Sequence, residues 1–268
     1  MSKVYTIASG KGGTGKTTVV ANLGPSLAML GKKVTILDAD IGMANLGLIL
    51  GVGEDGKVTL HEVLAGNADI SKAIHKGPAG INVIPSGISL QGFKDADPER
   101  LKEAMTKLSN GYDFLLVDTP GGISKEALIP LSIADGVILV VNPELPSMVN
   151  ALKIKVLTEM LGGAVKGIIL NRAGMERDEP TPDEVEEFMG TKIIGTIPED
   201  ANIRRAMDFK TPVVIENPKA PASLAFRKVA ENLVEDKFAR RGIEPVERKK
   251  SFLDWILKKL PLHAPCTI

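Results

Sequence analysis

Gly10-Lys11-Gly12-Gly13-Thr14-Gly15-Lys16-Thr17 is the stretch that decides the fold. An apolar run, Val4-Tyr5-Thr6-Ile7-Ala8, leads into it with the texture of a buried strand, and a helical pattern from Thr17 to Leu30 leads out. The spacing fits G-x-x-x-x-G-K-[ST], a phosphate-binding loop. In such a loop the glycines let backbone N–H groups wrap a phosphate chain, Lys supplies a point charge, and Thr supplies a hydroxyl to Mg²⁺. The helix that starts there turns its positive end toward the same anion. A glycine-rich turn that binds nothing is the bland reading, and the strand-before, helix-after context weighs against it.

The same residues also spell G-x-G-x-x-G through Gly10, Gly12 and Gly15. Asp38 ends the next strand-like run, Val34 to Leu37, where a dinucleotide fold keeps its ribose-binding acid. Two features favour a nucleoside triphosphate over a nicotinamide cofactor. Lys16-Thr17 has no use on a dinucleotide, and Leu115-Leu116-Val117-Asp118 is an apolar strand ending in an acid suited to hold a metal.

Composition sets the outer bounds. At 268 residues, 44% hydrophobic and 25% charged, the chain suits one α/β domain with a sizeable core. A formal net charge of zero gives no bulk argument for a nucleic-acid partner. The single cysteine, Cys266, permits neither an internal disulfide nor a cysteine-built metal site, as expected in a reducing cytosol. It stands third from the end, which misses the prenylation pattern. Apolar runs are too short to span a bilayer, and the N-terminus lacks a signal-peptide pattern.

Strand-like runs end at Ala8, Asp38, Ile84, Asp118, Val141, Asn171 and Ile197, with helical patterns between most of them. Thr59-x-x-Glu62 is a capping box; Asp97-Pro98 and Thr181-Pro182 are cap-plus-proline helix starts. Strands this apolar are buried on both faces, so the expected fold is α/β, a doubly wound, mostly parallel sheet flanked by helices. In such sheets ligands bind beyond the carboxyl ends of the strands. There the chain places the loop after Ala8, Asp38 and Asp40, Asp118, Asn142 and Glu144, Asn171, and Pro198 to Asp200. Taken singly, Asp38 and Asp40 read equally as turn residues, Asn171-Arg172 as a cap or turn, and Pro198-Glu199-Asp200 as a helix start. His61, His75 and His263 show no ligand spacing and read as ordinary surface or partly buried residues.

The texture divides the chain into a domain over residues 1–238, a charged linker over 239–250, an amphipathic helix over 251–260 and a short tail over 261–268. At helical spacing Phe252, Leu253, Ile256, Leu257 and Leu260 share one face with Trp255 at its edge, flanked by Lys249, Lys250, Lys258 and Lys259. The expectation is an interfacial helix on an anionic membrane; the alternative is a terminal helix docked on the domain.

With these residues collected, the chain resembles the MinD/ParA family of dimeric ATPases, its MinD branch most closely. Lys11-Gly12-Gly13-Thr14-Gly15-Lys16-Thr17-Thr18 resembles that family's deviant phosphate loop, with Lys11 as its extra lysine. Asp38 to Leu46 resembles its first switch, Asp118-Thr119-Pro120-Gly121-Gly122 its second, and Ile197-Pro198-Glu199-Asp200 its adenine-side loop. The resemblance implies ATP with Mg²⁺ as cofactors. Gly10 to Gly15 and Thr18 would wrap the phosphates, with Lys16 on the β- and γ-phosphates. Thr17, Asp38 and Asp118 would stand at the metal, and Gly122 would sense the γ-phosphate. Asp40 would place the attacking water, and Lys11 would act across a homodimer. Asn171 would read the adenine edge, walled by Arg172, Pro198 and Asp200. It departs from the MinD pattern at Gly121, where relatives commonly carry Ala, and at Asn150, where many carry Asp. The expected function is a membrane-switching ATPase, cytoplasmic and peripheral on the inner face of the cell membrane, that recruits an unidentified partner protein for spatial organisation. A ParA-like ATPase acting on DNA or cargo is the alternative, and a nicotinamide-dependent oxidoreductase a weaker one.

Overall fold

The computed structural model describes residues 2–52, 56–108, 111–176 and 178–236. The expected linker, amphipathic helix and tail over 239–268 lie outside the described residues. The strands are β1 (Lys3–Ala8), β2 (Val34–Asp38), β3 (His75–Lys76), β4 (Asn82–Ile84), β5 (Phe114–Asp118), β6 (Gly136–Val141), β7 (Val165–Ala173) and β8 (Ile193–Pro198). They form one sheet in the order β3-β4-β2-β5-β1-β6-β7-β8. Every pairing is parallel except β3 with β4. The two-residue β3 escapes sequence reading because it has no room for a period. β7 and β8 run on to Ala173 and Pro198, slightly past the ends that apolarity marks, because backbone pairing does not stop where side chains turn polar.

The helices needed below are α1 (Lys16–Met29), α2 (Leu46–Ile49), α3 (Leu60–Leu64), α4 (Leu90–Asp95), α5 (Leu101–Lys107), α6 (Lys125–Ile133), α7 (Leu145–Met160), α8 (Pro182–Met189), α9 (Ala201–Asp208), α10 (Val213–Glu216) and α11 (Pro221–Val234). Alternation along each strand feeds two layers. Ile7, Ile36, Leu116, Ile138 and Ile169 pack with Val20, Leu23 and Leu27 of α1 and Phe226 of α11. On the other face Leu37, Leu115 and Val117 pack with Leu60, Leu64 and Leu101, while Leu139 and Val141 pack with Leu131, Met148 and Ile154. Each side chain leaves water almost completely, at about 25 cal/mol per Å² of apolar surface, so neither layer is dispensable. Both capping boxes form: Glu62 accepts the Thr59 N–H at 2.7 Å, and Glu184 accepts the Thr181 N–H at 2.8 Å.

β1 occupies the turning point of the winding, with β5 on one side and β6 on the other. The glycine loop therefore opens at the crevice where such sheets bind ligands. At the opposite end of β1, Lys3 pairs with Asp236 at 2.9 Å. The described chain thus ends about 20 Å from the loop, the rise of a six-residue strand.

Candidate functional site

The glycine loop is built from main chain. Gly15, at φ 94° and ψ 23°, takes the left-handed conformation that turns the loop into α1 without a Cβ penalty. Among the described residues no side chain caps that helix, and its first turn carries no acid. Its first N–H donors are left for an anion. Gly10 lies against α7 so closely that a Cβ would stand 2.1 Å from the Asn150 carbonyl carbon, so the loop rests directly on a helix backbone. Lys16 is buried, and its ammonium donates to Ser9 Oγ at 3.0 Å. Burial holds its pKa below the ordinary lysine value, opposed by Asp118 and Asp40. Thr17 and Thr18 are half-buried at the start of α1, and Lys11 is exposed.

Asp118 lies close enough to attract this cation, and Asp38 stands beside it on the neighbouring strand. Asp38 and Asp118 are register partners across β2 and β5, and both are buried. Asp38 is committed to its own loop, accepting from the Asp40 N–H at 3.1 Å and the Leu46 N–H at 3.3 Å. Asp118 leaves Oδ1 buried without a partner among the described residues. Burial pushes the Asp118 pKa up to about 7, with Thr17 and Lys16 opposing and Asp40 adding to the rise. Burial first, and then Asp118, also push Asp38 well above the carboxylate range. An orphaned buried carboxylate oxygen beside the Thr17 hydroxyl is a donor set that suits Mg²⁺. No cluster of three or more His, Cys, Asp or Glu suited to a metal occurs among the described residues, so Mg²⁺ here would rely on phosphates and water for its other ligands. Asp40 is half-buried and accepts from the Met43 N–H at 3.0 Å, shaping the turn that follows β2.

These acids give a pH dependence with a definite sign. A carboxyl whose folded-state pKa is raised binds more protons folded than unfolded, so its contribution to stability is present at low pH and lost as pH rises through the folded value. For Asp118 that window closes at about 7. Between about pH 5 and pH 7.5 the ligand-free protein is expected to lose thermal stability as pH rises, and Asp118→Asn should flatten the profile. Differential scanning calorimetry of both proteins checks this; parallel profiles would remove Asp118 as the cause.

The second switch segment lies on the loop. Thr119 Oγ1 donates to the Ile7 carbonyl at 2.9 Å and the Gly122 N–H donates to the Ser9 carbonyl at 3.2 Å. A Cβ on Gly121 would stand 2.7 Å from Gly12 N and 2.8 Å from its Cα. The Gly121 departure, which looks minor in the sequence, is therefore a close backbone-to-backbone approach that a Cβ could enter only if the loop shifted. At the far rim Asn171 is buried and donates from Nδ2 to the Thr14 carbonyl at 2.8 Å. Arg172 sits at φ 57°, a strained position for a residue with a Cβ, and pairs with Glu199 at 3.7 Å. Pro198 ends β8. Asp200 caps α9 through the Asn202 N–H at 2.9 Å and also accepts the Ala222 N–H of α11 at 3.1 Å.

One reading needs correction, and one residue lies outside the sequence pattern. His61 is neither surface nor partly buried. It is enclosed under the first switch with Nε2 3.0 Å from the Ile41 carbonyl, which makes Nε2 the protonated nitrogen. Its helix is too short to show a burial pattern. Ser9 stands outside the loop pattern, which begins at Gly10; its one sequence signal is a hydroxyl set between an apolar strand and the first glycine.

Comparison with known proteins agrees with this geometry. The AAA domain family matches residues 2–160. An ATP-binding protein of Methanocaldococcus jannaschii is 46% identical over 260 residues, covering 97% of each chain. The septum site-determining protein MinD of Pyrococcus horikoshii, complexed with Mg-ADP, is 36% identical with TM-score 0.84, covering 90% of this chain and 100% of its own. The MinD chain of a MinC:MinD cell division complex from Aquifex aeolicus is 33% identical with TM-score 0.78, covering 92% of this chain and 99% of its own. This chain sets a glycine loop with an uncapped helix start, a buried lysine and a strand-end aspartate on a doubly wound sheet like that of the MinD structures, and it belongs to the MinD/ParA family of P-loop ATPases.

Proposed function

We propose that this protein is a nucleotide-driven switch: MgATP closes two subunits into a dimer, hydrolysis to ADP and phosphate releases them, and dimerisation sets membrane attachment. The observation that carries the reading is the buried Lys16 at an uncapped helix start, under the charge of a buried Asp118 whose Oδ1 has no partner among the described residues. A triphosphate would meet the N–H groups of Gly12 to Thr18 and the Lys16 ammonium. The divalent ion supplies charge neutralisation on the phosphates, with Thr17 and Asp118 as its protein contacts and Asp38 holding the first switch beside it. Asp40, at the mouth of the turn, places the water, since phosphoryl transfer depends mostly on position and charge. Asn171, Arg172, Pro198 and Asp200 border the base. Asn171 must turn from Thr14 or present its remaining amide atom to read it. The exposed Lys11 reaches the partner subunit's nucleotide.

A division-site or polar-positioning role is assigned on the likeness to the septum site-determining MinD of Pyrococcus horikoshii and to the MinC:MinD cell division complex of Aquifex aeolicus, which supports a protein partner here as well. Zero net charge favours this reading over a DNA-bound one. No helix among the described residues is long and apolar enough to cross a membrane, so attachment is assigned to the 251–260 segment.

Asp40 gives the test. Asp40→Asn keeps an oxygen for the Met43 N–H but loses the charge, and should retain ATP affinity while turnover falls about 100-fold. The dimer then accumulates with ATP and is read by light scattering. A monomer in ATP, or undiminished phosphate release, would count against the switch.

A further inference from the structure

Ser9 makes more connections than any role assigned to the loop requires. It is buried at the junction of β1 and the loop, and its hydroxyl works in both directions. Oγ accepts from the Lys16 ammonium at 3.0 Å and donates to the Lys11 carbonyl at 2.8 Å. A hydroxyl has one proton and two lone pairs, so both bonds can exist at once. The main-chain carbonyl of the same residue accepts the Gly122 N–H of the second switch at 3.2 Å. Lys16, the Lys11 peptide and the second switch therefore meet at one residue.

We propose that Ser9 is a positioning residue that couples the Lys16 ammonium to the second switch. The bond to the Lys11 carbonyl is a local side-chain-to-backbone turn, and it fixes the orientation of the Ser9 peptide. That orientation aims the Ser9 carbonyl at Gly122. Gly121 makes the approach possible, because a Cβ there would collide with Gly12. With the hydroxyl in place, the lysine is aimed into the loop and the Gly122 N–H is held by Ser9 until a competing acceptor arrives. The γ-phosphate is such an acceptor, and drawing Gly122 away would report its arrival to the switch. The inference rests on the phosphate-loop reading above and adds the residue through which two of its parts communicate.

The test uses the full chain with Ser9→Ala and Ser9→Cys, both of which lose the hydroxyl, and Ser9→Thr, which keeps it. The bond to Lys16 is charge-assisted and roughly twice as strong as a neutral one. Ser9→Ala and Ser9→Cys are thus expected to raise KM for ATP about tenfold while kcat changes less than about threefold. In the nucleotide-free protein, the Gly122 amide should exchange with deuterium at least about tenfold faster in both, although its acceptor is a carbonyl the substitution leaves in place. Ser9→Thr should restore both quantities. Normal KM and normal Gly122 exchange in Ser9→Cys would overturn the proposal. So would a raised KM accompanied by unfolding and no change at Gly122, which would mark a packing role. Wild type and Lys16→Ala run alongside. Failure of wild type to bind MgATP would sink the phosphate-loop reading itself, whereas normal binding in wild type with unaffected Ser9 variants would sink only the coupling.

Discussion

Lys16→Ala is expected to abolish measurable MgATP binding, with the dissociation constant rising at least about 100-fold. Its ammonium is buried and aimed into the loop by Ser9, so it meets phosphate oxygens with little reorganisation. Two charge-assisted hydrogen bonds at about 1.5–3 kcal/mol each exceed the 2.8 kcal/mol that corresponds to roughly a hundredfold. The uncapped N–H groups of α1 remain, so residual phosphate attraction persists at a much weaker level. The substitution also removes the cation opposing proton uptake by Asp118, whose pKa should climb further from its already raised value of about 7. Titration with a fluorescent ATP analogue reads the affinity, and circular dichroism verifies the fold. Near-normal affinity in a folded variant would remove the phosphate-loop assignment.

Membrane binding is expected to differ at least about 100-fold between the ATP and ADP states, and to vanish when Trp255 and Ile256 are both changed to Glu. Burying Phe252, Trp255, Ile256 and the three leucines Leu253, Leu257 and Leu260 could yield roughly 10 kcal/mol gross at about 1.5–3 kcal/mol each. Ordering a ten-residue segment costs about 1–2 kcal/mol per residue, and interfacial insertion is shallow. One copy is therefore weak, helped modestly by Lys249, Lys250, Lys258 and Lys259. A dimer makes the second insertion intramolecular and raises avidity about 10²–10⁴-fold. The fold supplies a reason for this indirect route. Asp236 pairs with Lys3 at the end of β1 opposite the loop, about a strand length away, so a nucleotide at the loop would not reach this ion pair. Vesicle sedimentation with anionic lipid, in ATP and in ADP, decides it. Equal binding in both states would remove the switch, and no binding in either would favour a helix docked on the domain.

What the sequence determined by itself was whatever depends on local spacing and apolarity. The loop pattern, the strand-end acids Asp38 and Asp118, the capping boxes at Thr59 and Thr181 and the doubly wound sheet all follow from short-range rules. A run such as Leu115-Leu116-Val117-Asp118 can do little else than sit buried and deliver its acid to the sheet's rim. What needed tertiary structure was everything that joins distant segments. Asp38 and Asp118 become a buried pair only because β2 and β5 lie side by side in register; burial raises both pKa values, and Asp118 adds to the rise at Asp38. The Gly121 contact with Gly12 joins positions more than a hundred residues apart, and no local rule weighs the space beside a glycine. His61 is buried because Ile41 of the first switch and the distant Gly87 and Gly92 close on it, not because of its own short helix. Ser9 is the sharpest instance. One hydroxyl preceding a glycine carries no pattern, and its importance comes from the lysine and the second switch that converge on it in space. Spacing along a chain encodes which groups are available; only packing decides which of them are forced to share one another's charge and hydrogen bonds.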